Sequence, residues 1–286
     1  MNLIHFFNPV VEVNNQQLLK AQEVTLSSIS YAKQSFKGEA KICINPVFFS
    51  DEISKNMDSS CFDNVNTIDR SIKDIGKNRF SKKLPILGDL LVQALKNAKS
   101  EEDFLIYTNL DISLMPFFYD FVEDKIKSGQ DGFIINRRTI NNFENRTLSE
   151  LFSVIGEKHP GFDCFVFKAA LAKKFLTKEV CIGASWAGKV FYLNMLVLCS
   201  NFCVYRDEHL TFHLGDDRVW RSASYNEYAR HNGTQVAEII DEFICLNLDK
   251  NIKKEMVRLK ANILNELGTK KNNLRSKLTG CIKKLF

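Results

Sequence analysis

The chain has 286 residues, 45% apolar and 26% charged, with only 13 Gly and 5 Pro. This excludes wholesale disorder and collagen-like or loop-built architectures, and 23 Phe give a chain of this length an aromatic-heavy core. The net charge of +5 divides unevenly: residues 247–286 carry eleven basic and three acidic side chains, a net of +8, which leaves a body of net −3.

Residues 2–10 form a first apolar strand candidate closed by Pro9, and a helical pattern with a broad apolar face follows over 16–36. Residues 41–49 are a second strand candidate, and 50–80 are polar and irregular with a short helix around 67–75. Pro85 opens a helix that leads into the strand DFLIYT. A helix over 116–128, a strand over 132–136 and an Asn-rich connection come next. GFDCFVF is a further strand, AALAKKF a short helix, 191–199 helical and 202–206 extended; from about Ser224 the pattern is helical to the end. Strands alternating with helices predict an α/β fold with a mixed sheet flanked by helices and a basic helical extension. The organisation read from the sequence is a domain over 1–222 and an extension over 223–286.

The eight cysteines form no Cys-x-x-Cys pair and sit mostly in apolar runs, as reduced, buried cysteine does. The first residues lack a basic region and a small-residue cleavage site, and no run of about 18 apolar residues occurs, so a cytoplasmic protein is expected. A net-negative body without a basic, aromatic-interleaved groove argues against nucleic acid as a partner.

The most informative segment is DFLIYTNLDISLMPFFYDFV. An apolar strand runs into Asn109-Leu110-Asp111, where ligands of open α/β sheets bind. Two oxygen-bearing side chains at i and i+2 suit a hard divalent cation held with a diphosphate. The same residues would equally end a strand and cap a helix. HLTFHLGDDRVW is dense in polar groups: the imidazole of His213 suits Mn²⁺, and Asp216 or Asp217 would serve as general base; a polar turn pairing Arg218 is the plainer reading. Asp163 starts a strand after a Pro-Gly turn and would cap that turn. Arg137 and Arg138 follow a strand and offer guanidinium groups to a diphosphate, although neighbours on extended backbone face opposite ways. Asn8-Pro9 and Asn45-Pro46 both end strand candidates, as turn chemistry favours.

IYTNLDI at a strand end, followed by DGFIINRRTI, HPGFDCFVF and HLTFHLGDDRVW, resembles GT-A glycosyltransferases of bacterial surface-polysaccharide clusters. The order of elements matches over about residues 1–220. The resemblance implies a Rossmann-like GT-A sheet, a nucleotide-sugar donor with a divalent metal, and a glycan or lipid-linked glycan acceptor. By the resemblance, Asp111 takes the family's metal position, His213 its late histidine, Trp186 an acceptor-side stacking position, Asp163 a contact to sugar hydroxyls, and Asn8 a place beside the nucleotide base. Asn109 stands where the family has a first Asp, which removes one negative charge.

Residues 183–189 fit G-x-x-x-x-G-K, but Val190 replaces the Ser or Thr of a P-loop and Trp186 crowds the cradle. A P-loop kinase or nucleoside triphosphatase and a non-catalytic interaction module are the rival readings. The basic, amphipathic tail, with Ile252, Met256, Leu259, Ile263, Leu267, Leu274, Leu278, Ile282 and Leu285, suits an anionic membrane surface or packing on the body. A peripheral position on the inner face of the cell membrane follows from the first of these.

Overall fold

The computed structural model describes residues 1–11, 15–53, 62–76, 79–215 and 219–282, with side chains through 268. The strands β1 (Asn2–Phe7) and β2 (Lys41–Phe49) pair in parallel across the helix α1 (Gln16–Ser35), whose first turn Asn15 caps by accepting from Leu18 N. β3 (Asn66–Ile68) extends this unit. α2 (Ile72–Ile75) and α3 (Leu87–Leu95) lead into β4 (Phe104–Thr108), on the other side of β1. Then come β5 (Ser113–Leu114), α4 (Phe118–Lys127), β6 (Gly132–Ile135), β7 (Arg138–Ile140), α5 (Leu148–Phe152) and β8 (Glu157–Lys158). β9 (Cys164–Lys168), α6 (Ala169–Ala172), α7 (Ala187–Leu198), β10 (Phe202–Tyr205) and β11 (Thr211–Leu214) follow, then α8 (Asn226–Ile244) and α9 (Lys250–Ile282).

Seven strands form the main sheet in the order β10-β6-β9-β4-β1-β2-β3. All neighbours are parallel except β9, which runs antiparallel to both β4 and β6. A smaller sheet, β5-β11-β7-β8, stands beside it. Both faces of the main sheet are apolar, as parallel-rich sheets require. Ile4, Phe6, Leu105, Tyr107, Phe165 and Phe167 point into one cluster, while Leu3, Phe7, Phe104, Ile106, Cys164 and Val166 point into the other. The alternation follows the two-residue period of a strand.

His5 interrupts that pattern. It is fully buried, with Nδ1 2.8 Å from the Tyr119 hydroxyl and Nε2 2.9 Å from the Thr108 hydroxyl, and burial pushes its pKa down to about 3.

Two sequence expectations need correction. Asn45-Pro46 does not end a strand: β2 runs through Pro46, which pairs with Phe7, to Phe49. Pairing with β1 stops at Pro46 and pairing with β3 starts at Val47, so the proline's missing N–H falls at the handover. Of the two readings of the stretch after Leu210, the polar turn does not hold for Thr211–Leu214, which is a buried strand.

α8 buries nine residues, of which Val236, Ile239, Ile240 and Phe243 join the apolar cluster shared with the sheet. α9 adds Met256 and Ile263, with Ile252, Leu259 and Leu267 packed around them. Half of the tail's apolar stripe thus faces the body, while the side chains of Leu274, Leu278, Ile282 and Leu285 lie outside the described residues. No helix among the described residues is long and apolar enough to cross a membrane.

Candidate functional site

The site lies where β4 ends. The strand delivers Tyr107 and Asn109 two residues apart, hence on one side, and the Tyr107 hydroxyl donates to Asn109 Oδ1 at 3.1 Å. Because β9 is antiparallel, its beginning meets the end of β4: Thr108 pairs with Cys164, and Asn109 N donates to the Asp163 carbonyl at 3.4 Å. Asn109 Nδ2 also lies 3.4 Å from Asp163 Oδ1. The amide of Asn109 is therefore held on both sides.

His213 arrives from the smaller sheet. β11 runs antiparallel to β5, directly after Asp111, and His213 Nε2 sits 3.0 Å from Asp111 Oδ2. His213 Nδ1 donates to the carbonyl of Gly215 at 2.6 Å; since a carbonyl only accepts, Nδ1 carries a hydrogen and Nε2 faces the carboxylate. Burial alone would lower the pKa of His213, but the hydrogen bond and charge of Asp111 raise it above the ordinary histidine value. For Asp111, burial works in the raising direction, and the hydrogen bond and charge of His213, then Arg137, bring it below the ordinary carboxylate value.

Arg137, 9% exposed, follows β6 and closes the group, its Nε 3.6 Å from Asp163 Oδ2 and its Nη2 3.4 Å from His159 Nε2. Two carboxylate oxygens here, Asp111 Oδ1 and Asp163 Oδ2, are buried without a hydrogen-bond partner. Buried oxygens of this kind normally accept hydrogen bonds; Asp163 Oδ2 instead has Arg137 Nε at 3.6 Å and His159 Nδ1 at 3.8 Å. Burial, together with Asp111 and Asp163, drives the Tyr107 hydroxyl far above the ordinary tyrosine range, so it stays a neutral donor.

The structure thus brings Asn109, Asp111, Asp163, Arg137 and His213 together. Arg138 parts from its neighbour: it lies in β7, with its guanidinium on the carbonyls of Gly156 and Asp207. Asn8 lies on the same sheet edge, two residues beyond the paired Phe6 and Tyr107, and its Nδ2 donates to the Val47 carbonyl at 2.7 Å. Asp216, Asp217 and Arg218 lie outside the described residues.

Trp186 precedes α7 with φ 76°, a left-handed conformation unusual for a bulky residue, and its buried indole N–H has no hydrogen-bond partner. Its loop is fixed by Asn232 of α8, whose amide holds Cys181 N, Cys181 O and Ser185 O. Residues 183–189 do not form a phosphate cradle. The segment before them makes an isolated bridge between Ile86 and Cys181 instead of a parallel strand, and Lys189 Nζ stacks over the rings of Phe162 and Tyr192. Tyr107 was missed in the sequence as a positioning residue; its spacing of two from Asn109 was the available signal.

Among solved structures, the chain resembles residues 1–349 of Staphylococcus aureus TarS, with a TM-score of 0.54 at 12% identity over 92% of this chain and 71% of that one. The same protein in complex with UDP-GlcNAc aligns with a TM-score of 0.51 at 13% identity over 93% and 72%. Against the longer TarS structure, also at a TM-score of 0.51 and 13% identity, 93% of this chain aligns with 43% of that one. No family model matches the chain, and no curated protein does. The likeness at this identity establishes the fold, which is GT-A-like.

Proposed function

We propose that the chain is a glycosyltransferase that moves a sugar from a nucleotide-diphosphate donor to a hydroxyl of a glycan acceptor in bacterial surface-polysaccharide synthesis. The observation that carries this reading is the convergence of Asn109, Asp111, Asp163, Arg137 and His213 at the carboxyl edge of a GT-A-like sheet, with two buried carboxylate oxygens that accept no hydrogen bond. TarS, which shares the fold, has been crystallised with UDP-GlcNAc and with UDP.

The site's donors fit a divalent metal. Asp111 offers a buried oxygen without a partner, and His213 Nε2 lies beside the other oxygen of that carboxylate. A carboxylate and an imidazole together suit Mn²⁺, or Mg²⁺ with more of its shell from phosphate oxygens. Among the described residues no group of three or more His, Cys, Asp or Glu is arranged as a metal site, so Asp111 and His213 would hold the ion together with the donor's diphosphate. Bound there, the metal would offset the charge of the departing diphosphate.

The other residues have roles of their own. Arg137 lends its positive charge to the diphosphate, with Asp163 keeping the guanidinium in place. Asp163 Oδ2 accepts from a sugar hydroxyl, and Asn109, held by Tyr107, lines the turn between them. Asn8 borders the base, Trp186 faces the acceptor, and Asp216 or Asp217 takes the proton of the acceptor hydroxyl. Arg138 contributes through the loops it ties down, setting the position of its neighbour. The domain over 1–222 would carry the chemistry and the extension over 223–286 would support it, in the cytoplasm at the inner face of the membrane.

A panel of nucleotide sugars tests the proposal by thermal stabilisation with Mn²⁺ present. A donor at a hundred times its Kd should stabilise by about 2.7 kcal/mol. Asp111→Asn should abolish the metal-dependent part of that gain and lower turnover by about 100-fold or more. Failure of every nucleotide sugar to bind would favour a non-catalytic interaction module, and intact metal-dependent binding in Asp111→Asn would refute the metal assignment.

A further inference from the structure

A cavity of about 530 Å³ borders the turn that leads into Asp163. Phe162 and Pro160 form part of its wall, and the rest comes from α7, the end of β10 and the first turns of α9. Four basic side chains line it: Lys189, Arg206, Lys254 and Arg258. None of the four forms an ion pair among the described residues. The one carboxylate in the lining, Glu255, accepts from the hydroxyl of Tyr192.

This arrangement is built rather than scattered. Lys254 and Arg258 are four apart on α9 and so share a side of the helix. Lys189 reaches in from the first turn of α7, with Nζ 4.3 Å from the centre of the Phe162 ring and 5.4 Å from that of Tyr192. Burial draws the pKa of Lys189 below the ordinary lysine value; Glu255 opposes this and Arg206 adds to it. Four like charges around one recess repel each other, and a bound anion with several oxygens is what offsets that repulsion.

We propose that this cavity binds a phosphate or carboxylate carried by the sugar acceptor, so that the acceptor is an anionic glycan. That the ligand is the acceptor rests on the glycosyltransferase reading; that the cavity binds an anion does not. The turn at Phe162 runs directly into Asp163, so a glycan anchored by its anionic group here lies beside the carboxylate assigned to the donor sugar. Lys189, placed by motif at a nucleotide phosphate, instead serves the acceptor side.

The test is calorimetry on the full chain with tri-galacturonate, glucose 6-phosphate and neutral maltotriose, alongside UDP. Tri-galacturonate or glucose 6-phosphate should bind, and which of them does so identifies carboxylate or phosphate; maltotriose should not bind. Lys189→Gln and the more exposed Arg258→Gln should each weaken that binding by about tenfold or more and leave UDP affinity unchanged. If UDP fails to bind while the anionic sugar binds and responds to both substitutions, the anion site stands and the glycosyltransferase reading falls. Equal binding of maltotriose, or indifference to both substitutions, overturns the proposal. So does binding of phosphatidylglycerol vesicles, lost in both variants, with no binding of soluble anionic sugars, because the cations would then serve a lipid surface.

Discussion

Acid should weaken this fold through one buried residue. His5 is neutral in the folded chain, its pKa pushed by burial from 6.5 to about 3, whereas in the unfolded chain it titrates normally. The folded state then binds fewer protons than the unfolded state throughout that window, so stability is fully present above pH 6.5 and is lost on acidification towards about pH 3. A fall from 6.5 to about 3 corresponds to at most about 5 kcal/mol, of which about 2 kcal/mol is gone by roughly pH 5. His213, with its raised pKa, contributes in the opposite sense, so the comparison must be made against a variant that alters His5 alone. His5→Gln keeps a donor and an acceptor for the hydroxyls of Tyr119 and Thr108 but does not titrate. Urea unfolding of both proteins at about pH 7.5 and pH 5 should show the wild type losing about 2 kcal/mol more than the variant. Equal losses in the two proteins would refute the assignment of the proton-sensitive step to His5.

Asn232→Ala should cost about 2–4 kcal/mol in urea unfolding, because it strips hydrogen-bond partners from Cys181 N, Cys181 O and Ser185 O at once; a loss below about 1 kcal/mol would show that the loop before Trp186 does not depend on it. Gly233→Leu should destabilise by about 1–3 kcal/mol and speed proteolysis within α9, since even a Cβ at Gly233 would lie 3.1 Å from Leu267 and 3.2 Å from Ile263. Asp103→Asn should lower the melting temperature and flatten its fall in acid: burial opposes ionisation, but N–H donors from Asn2, Lys99 and Ser100 hold this carboxylate below the ordinary range, so its stabilisation is present above the unfolded pKa and lost as pH falls through the folded one.

The main sheet was legible because its strands are written as short apolar runs, FLIYT and CFVF among them. Asn109 and Asp111 were legible for the same reason: polar residues directly after such a run fall at the sheet's carboxyl edge. Their partners were not. That Asp163 meets Asn109 depends on β9 entering antiparallel, a choice made by partners far apart in the chain and invisible in local pattern. The smaller sheet was hidden because β5 and β8 have two residues each, too few to show a period, and because β11 carries a histidine and a threonine in a buried strand. The tail's amphipathic stripe was plain in the sequence, but its occupant was not: apolar residues every three or four positions look the same whether they meet lipid or α8.

The reversed insertion of β9 also sets an order of events. A parallel sheet can grow from β1, β2 and β4 as the chain lengthens, but β6 and β10 have no place in it until β9 bridges β4 to β6. His213 must in turn wait for β11 to find β5, about a hundred residues back. Such long-range pairings form slowly because loop-closure entropy is lost before contacts compensate for it. A chain still emerging from the ribosome would therefore hold the Asn109–Asp111 turn for some time without the residues that complete it. Competence to bind a ligand at this edge would arrive near the end of folding, and ligand binding would report on complete assembly of both sheets.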